Sequence, residues 1–447
     1  MAENVVIYTV VHQPRRLKLP AQPIPPGAST DDIERCLFDE RMNKGYLRKV
    51  ADRCYYPATE MFLELAEGGF KLSIGLSISL IRQMRLWEPD LLGLFQRLVS
   101  NPNVELVGVE PYHNFLLMID LPAFVRRMAW ARDELEAVFG KRPRVTDTTE
   151  MCMSDAIYHA LSQAGFDGAL LDGRRWVMEW REATHLYHHR GGNLQLLARH
   201  HSLSDDVGYR FSDRSWSGWP LFADTYAHWL REARGDFVFL AWDYETFGEH
   251  HWRESGIFDF VRRLPDEFAR RGMTTLTPSE AISRYRSQSH DLPLPEFPTT
   301  WAGDGGMEFF LGNAAQQAIF QLMLYVYNKA LLSRNEELID LALWLIQSDN
   351  LHLIQWFGRT GSQAEVSAYF TPWEWWQLGP NRIIWEQQQV YRNFLRAMDS
   401  YMDGVPKAPS PPPPGLRLGL AEKLDGEPGI TDRLAAYGLG TFLGSKP

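Results

Sequence analysis

The chain has 447 residues, with 46 Lys plus Arg against 56 Asp plus Glu, a net charge of −10. That field repels a phosphate backbone, which excludes nucleic acid as the main partner, and the longest apolar runs, such as 237–242, are strand-sized rather than membrane-spanning. Cys36, Cys54 and Cys152 lack disulfide or metal-knuckle spacing, and Met1-Ala2-Glu3-Asn4 carries no basic leader, so a reducing, cytoplasmic setting is expected.

In chain order, short apolar runs alternate with longer stretches of helical period. Candidate strands are 5–11, 71–76, 104–109, 144–149, 168–171, 195–198 and 236–242. Helices are predicted between them at 60–67, 89–99, 121–139 and 155–164. The 89–99 segment starts at Pro89 and shows Leu91, Leu92, Leu94, Phe95 and Leu98 as an apolar stripe. Seven strand–helix units predict an α/β fold with a parallel sheet curled into a (β/α)7 barrel over residues 1–290. Prolines at 293, 295 and 298 then punctuate a connector. From 291 to 403 the patterns at 307–332, 335–349 and 380–402 predict a helical bundle packed on the barrel. Residues 404–447, with prolines at 411–414, read as a proline-rich linker and tail.

Polar residues collect where the strands end. His12-Gln13-Pro14 follows the first, Glu110-Pro111-Tyr112-His113 the third and Thr148-Thr149-Glu150 closes the fourth. Asp243-Tyr244-Glu245 ends the last and leads on to Glu249-His250-His251. In a parallel barrel these positions converge on the C-terminal rim. Helix capping explains Thr148 or Asp155 singly but not the whole set. Two isolated carboxylates from different strands suit glycoside cleavage, one attacking the anomeric carbon and the other protonating the leaving oxygen. The histidine pairs His188-His189, His200-His201 and His250-His251 leave a metal-dependent barrel hydrolase, such as a polysaccharide deacetylase, as a rival. A glucan-binding protein without turnover is a further alternative. Neither a Walker-type loop nor a post-strand G-x-G-x-x-G occurs. Seven of the sixteen tryptophans fall between Trp176 and Trp252, which suits stacking on sugar faces.

These motifs resemble glycoside hydrolase family 57, in its α-amylase-like branch. His12-Gln13-Pro14 resembles the first signature of that family, 104–113 the second, 145–150 the third and 242–250 the fourth. The resemblance implies a (β/α)7 barrel whose cleft is completed by a helical bundle. It also implies retaining cleavage of α-1,4-glucans without a metal or other cofactor, or transfer by a 4-α-glucanotransferase or branching enzyme using the same acids. Glu150 would be the nucleophile and Asp243 the general acid/base. His12, His113, Glu110, Asp206, Glu245 and His250 would bind substrate, and Trp216, Trp219 and Trp301 would be stacking platforms. The chain departs from the family pattern at Pro111, at Met151-Cys152-Met153 and after the Ser348-Asp349 pair.

Overall fold

A computed structural model describes residues 1–402; the expected tail at 404–447 lies outside them. Seven strands carry the architecture: β1 (Asn4–Val11), β2 (Leu72–Leu76), β3 (Val104–Val107), β4 (Val145–Thr146), β5 (Gly168–Asp172), β6 (Gln195–Arg199) and β7 (Phe237–Asp243). Each matches one of the seven runs read from the sequence. Pairing is parallel from β3 through β2 and β1 to β7, and again from β4 through β5 to β6. Two seams close the ring. Gly108 N donates to Val145 O at 2.8 Å and Asp147 N to Gly108 O at 2.7 Å, while His200 N reaches Phe239 O at 2.7 Å.

Alternation along β1 explains why a strand with no polar face is stable. Val6, Tyr8 and Val10 point into the barrel with Val107, Val145, Leu170, Leu197 and Phe239. Val5, Ile7 and Val11 point outward to the helical layer with Leu72, Ile74 and Phe62. Both faces are covered, as a parallel sheet requires. Helices at Tyr56–Glu67, Pro89–Ser100, Leu121–Phe139 and Asp155–Gln163 supply much of that layer, and their bounds lie close to the predicted ones.

Three further strands escaped prediction. Leu186–His188 runs antiparallel to β6, His290–Asp291 pairs with it, and Thr274–Leu276 lies beside the start of β1. At two or three residues none is long enough to show alternation. The bundle helices Ala314–Ser333, Glu336–Leu345 and Pro380–Met402 share one continuous core with the barrel helices, in which Phe124 and Ile157 are buried together with Ile319, Trp344 and Tyr391. Backbone pairing joins the two parts as well. Ser348 N donates to His113 O at 2.9 Å, and Met153 and Thr299 exchange bonds at 3.0 and 2.8 Å.

Packing inside the barrel is tight at Gly75 of β2. A Cβ there would lie 2.4 Å from Val109 Cγ2 and 2.5 Å from Tyr8 Oη. Gly75→Ala should therefore cost about 1–3 kcal/mol through overpacking, read as a lower midpoint in chemical denaturation. An unchanged midpoint would show that the barrel interior can yield.

Candidate active site

The chain leaving β4 is bent by two consecutive left-handed residues, Glu150 at φ 56° and Met151 at φ 50°. Neither is glycine, so each costs on the order of 1–3 kcal/mol and needs outside support. The support comes from the connector. Thr300 Oγ1 donates to Glu150 O at 2.7 Å and Trp301 N to the same carbonyl at 3.2 Å. This conformation aims the carboxylate into the cleft, where Oε2 accepts from the Trp301 indole N–H at 2.8 Å. Oε1 lies 3.4 Å from Ser348 Oγ and 3.8 Å from His113 Nδ1. The side chain is still 15% exposed, so a ligand can reach it. Burial drives its pKa up to about 8; the Trp301 bond opposes the rise, and the charges of Asp243, Asp349 and Asp147 add to it.

Asp243 ends β7 on the same cleft. Burial raises it to about 6, Arg199 opposes and Asp349 adds. Behind it Arg199 is almost fully enclosed: Nε donates to Ala241 O at 3.0 Å, Nη1 to Asp172 at 3.0 Å and Nη2 to Asp205 at 2.6 Å. The guanidinium also lies 5.7 Å from the Trp301 ring. Arg174 completes the bracket, with Nη2 donating to Trp301 O at 2.6 Å and Nε 2.8 Å from Asp172. One buried ion network thus holds both the strand that bears Asp243 and the indole that bonds Glu150.

His12 and His113 stack with centroids 4.5 Å apart. His12 is held at both nitrogens, by Ser77 Oγ at 2.8 Å and Asp349 Oδ2 at 3.1 Å, and His113 Nδ1 meets Ser348 Oγ at 3.0 Å. Burial pushes His113 down to about 3, which keeps it neutral near pH 7. Burial alone would raise Asp349, but His12, with His113 and His352 beyond it, overturns that and holds it well below the usual carboxylate range. Asp147 carries the Tyr8 hydroxyl at 2.9 Å, and burial lifts it to about 7. Glu245 is bonded by the Tyr55 hydroxyl, and burial, followed by the charge of Asp243, lifts it to about 8.

Glu150, Asp243, His12, His113 and Trp301 thus come together as the sequence predicts, with Glu245 directly behind. Trp301 enters differently from expectation: its indole edge is a donor to Glu150, not only a stacking face. The other expected contacts are engaged elsewhere. Glu110 is fully enclosed, and its Oε2 accepts the amides of Asn114 and Tyr112 at 2.8 and 2.9 Å, which folds the His113 loop. Asp206, on the helix His201–Gly208, pairs at 2.8 Å with Arg210 just beyond its end. Trp216 packs edge-on against Trp229 in the outer layer, and Trp219 lies under Arg214. His250 is half-buried, edge-on to Phe370 at 5.5 Å between centroids. Sequence reasoning missed Ser348, Asp349, Arg199 and Asp147. Asp147 stands three residues before Glu150 on the same strand end, which was a usable signal; Asp349 comes from a helix no strand-end pattern reaches.

Among the described residues two groups have metal-ligand composition, His12 with His113 and Asp349, and Asp155 with His159 and His189. In the first, His12 Nε2 faces Asp349 of the same group at 3.1 Å while Ser77 holds its Nδ1; in the second, Arg190 shares Asp155 Oδ1 at 3.0 Å, a cationic neighbour that a metal ion would have to displace.

Residues 6–293 match the family model described as glycosyl hydrolase family 57. A curated relative from Methanocaldococcus jannaschii, named "Putative alpha-amylase", is 34% identical over 317 residues, covering 70% of this chain and 66% of its own length. The chain thus spans just under two thirds of that relative. Among solved structures, a branching enzyme of this family from Pyrococcus horikoshii aligns at TM-score 0.62 and 16% identity, over 92% of this chain and all of that one. A 4-alpha-glucanotransferase from Thermococcus litoralis aligns at 0.59 and 16%, over 88% of this chain and 60% of its own. At such identities these likenesses concern the fold.

The indole bond favours the ionised form of Glu150, so removing it must raise that pKa. In Trp301→Phe, carboxyl-13C NMR should place the Glu150 titration about one pH unit or more above wild type. A titration that stays in place would mean the bond does not govern the charge of Glu150.

Proposed function

The chain belongs to glycosyl hydrolase family 57, and from that premise and the cleft geometry we propose that it is a retaining, α-amylase-like glycoside hydrolase acting on α-1,4-glucans. One observation carries the reading: Glu150 and Asp243 come from separate strand ends and are linked through Trp301, whose indole bonds Glu150 and lies 5.7 Å from the Arg199 guanidinium that bonds Ala241, two residues before Asp243. Burial raises both acids, so at neutral pH the pair favours holding one proton between them. Trp301 bonds Glu150, with Ser348 close by, whereas no described residue donates to the Asp243 carboxyl. In the unliganded cleft burial leaves that proton on Glu150, at about 8 against about 6 for Asp243; the reaction needs it on Asp243, the arrangement that the Trp301 donor favours.

In the first step Glu150 attacks the anomeric carbon while Asp243 protonates the departing glycosidic oxygen. In the second, Asp243 takes a proton from water as the oxygen of that water attacks the same carbon and expels Glu150. His113, neutral through burial, can donate to or accept from a sugar hydroxyl, and His12, oriented by Asp349 and Ser77, supports it from behind. Glu245 stiffens the chain behind Asp243. The name of the relative from M. jannaschii supports α-glucan as substrate. We assign the barrel to residues 1–290 and the cleft-closing helices to 291–403. We also place the enzyme in the cytoplasm: Cys36, Cys54 and Cys152 are unpaired thiols, and no described helix is long and apolar enough to cross a membrane.

The test uses maltoheptaose, amylose and glycogen with product analysis. Wild type should yield shorter chains; redistributed lengths or new branch points would reassign it to transfer. Glu150→Gln should lose on the order of a thousandfold or more in kcat. Asp243→Asn should retain more activity on aryl maltosides, whose leaving groups need less acid assistance, than on glucans. Glu150→Gln digesting maltoheptaose as fast as wild type would refute the assignment.

A further inference from the structure

Beyond the two acids, a second hollow opens on the nucleophile side of the cleft. It is a cavity of about 360 Å3 lined by Trp176, Phe297, Asp304, Glu308, Arg359 and Gln363 among others, within the roughly 300–1,000 Å3 range of small-molecule sites. Trp176 remains 47% exposed although its indole N–H is spent on Asp304 O at 3.1 Å, so the ring is fixed while a face stays open. Phe297 lies nearly parallel to it, at 18° and 6.4 Å between centroids. Around these faces stand two carboxylates, a guanidinium and a carboxamide, the planar groups that pair with vicinal hydroxyls. An aromatic floor with a planar polar rim matches a pyranose, apolar on its faces and hydroxylated at its edge.

The hollow is continuous with the catalytic machinery. Asp304 and Gly306 belong to the turn that begins at Trp301, the residue bonded to Glu150. Gly303 at φ 53° and Gly305 at φ 96° allow that turn, and a Cβ on Gly305 would meet Arg174 Cδ at 2.6 Å. Arg174 in turn bonds Trp301 O. On the other wall Phe309 packs against His352, with centroids 5.2 Å apart, and His352 adjoins Asp349. A glucan seated on Glu150 needs to travel only along this one turn to enter the hollow.

We propose that the Trp176 hollow is a secondary α-glucan subsite, taking a glucosyl unit distant from the scissile bond and setting the preference of the enzyme for longer chains. The assignment rests on the α-glucan reading above. Its readout is the ratio of kcat/KM for maltoheptaose to that for maltotriose. Trp176→Ala should lower the ratio by about threefold to tenfold, mainly through KM on the long substrate, and Trp176→Tyr should restore most of it. Gln363→Ala, on an exposed helix face, should move it the same way by less. A merely structural role would depress both substrates together and leave the ratio intact, which would overturn the subsite while the α-glucan reading stood. Should wild type turn over neither substrate, calorimetry with Glu150→Gln protein tests the subsite on binding alone. Maltoheptaose binding weakened at least threefold by Trp176→Ala would support the subsite, and equal binding, or none, would overturn it.

Discussion

The functional end of this protein depends on a glutamate held in a conformation that its own backbone disfavours. Glu150 and Met151 both occupy the left-handed region, in a turn spanned locally by the Thr148 Oγ1 bond to Cys152 O at 2.7 Å. The connector supports that turn from outside, by bonding the Glu150 carbonyl from Thr300 and Trp301 and pairing Thr299 with Met153. The same three connector residues therefore close the barrel mouth, hold the strained turn and deliver the indole donor to the carboxylate. This explains why the barrel and the bundle share one core: a bundle that moved independently would release the nucleophile.

Electrostatics in the cleft follow from burial shared among several acids. Asp147, Glu150, Asp243 and Glu245 are all raised, whereas Asp349 is lowered, because the His12 imidazole bonds it directly with His113 and His352 beyond. Arg199 is the counterweight. It opposes the rise at Asp243, yet two other carboxylates already engage it, so Asp243 keeps a proton affinity suited to both giving and taking. Of the two catalytic acids only Glu150 has an indole donor, which favours its charged form against the burial that raises it.

Much of this was legible in the chain itself. The barrel strands were visible because most are apolar runs between helix-patterned stretches, although 144–149 has only Val145 as an apolar residue, and the strand-end rule selected Glu150, Asp243, His12 and His113 without knowledge of the fold. Trp301 was noticed for its aromatic face alone, since composition does not report the direction of its N–H. Trp216 packs against Trp229, and Trp219, 42% exposed, lies under Arg214, apart from the contacts that hold Glu150. Glu110 shows the limit of the strand-end rule, because a carboxylate after a strand can serve its own loop amides. Ser348 and Asp349 lie about two hundred residues from Glu150, and only tertiary pairing of 114 with 347 brings them in.

In the proposed mechanism Glu150 becomes covalently glycosylated while Asp243 manages the proton. Trapping the intermediate with a 5-fluoro-α-glycosyl fluoride, and locating the adduct by peptide mass spectrometry, probes that step without intermediaries. One glycosyl adduct is expected on the peptide containing Glu150, absent in Glu150→Gln and still formed in Asp243→Asn, where the fluoride leaves without acid help. An adduct on any other carboxylate, or turnover of the reagent by Glu150→Gln protein, would contradict the mechanism.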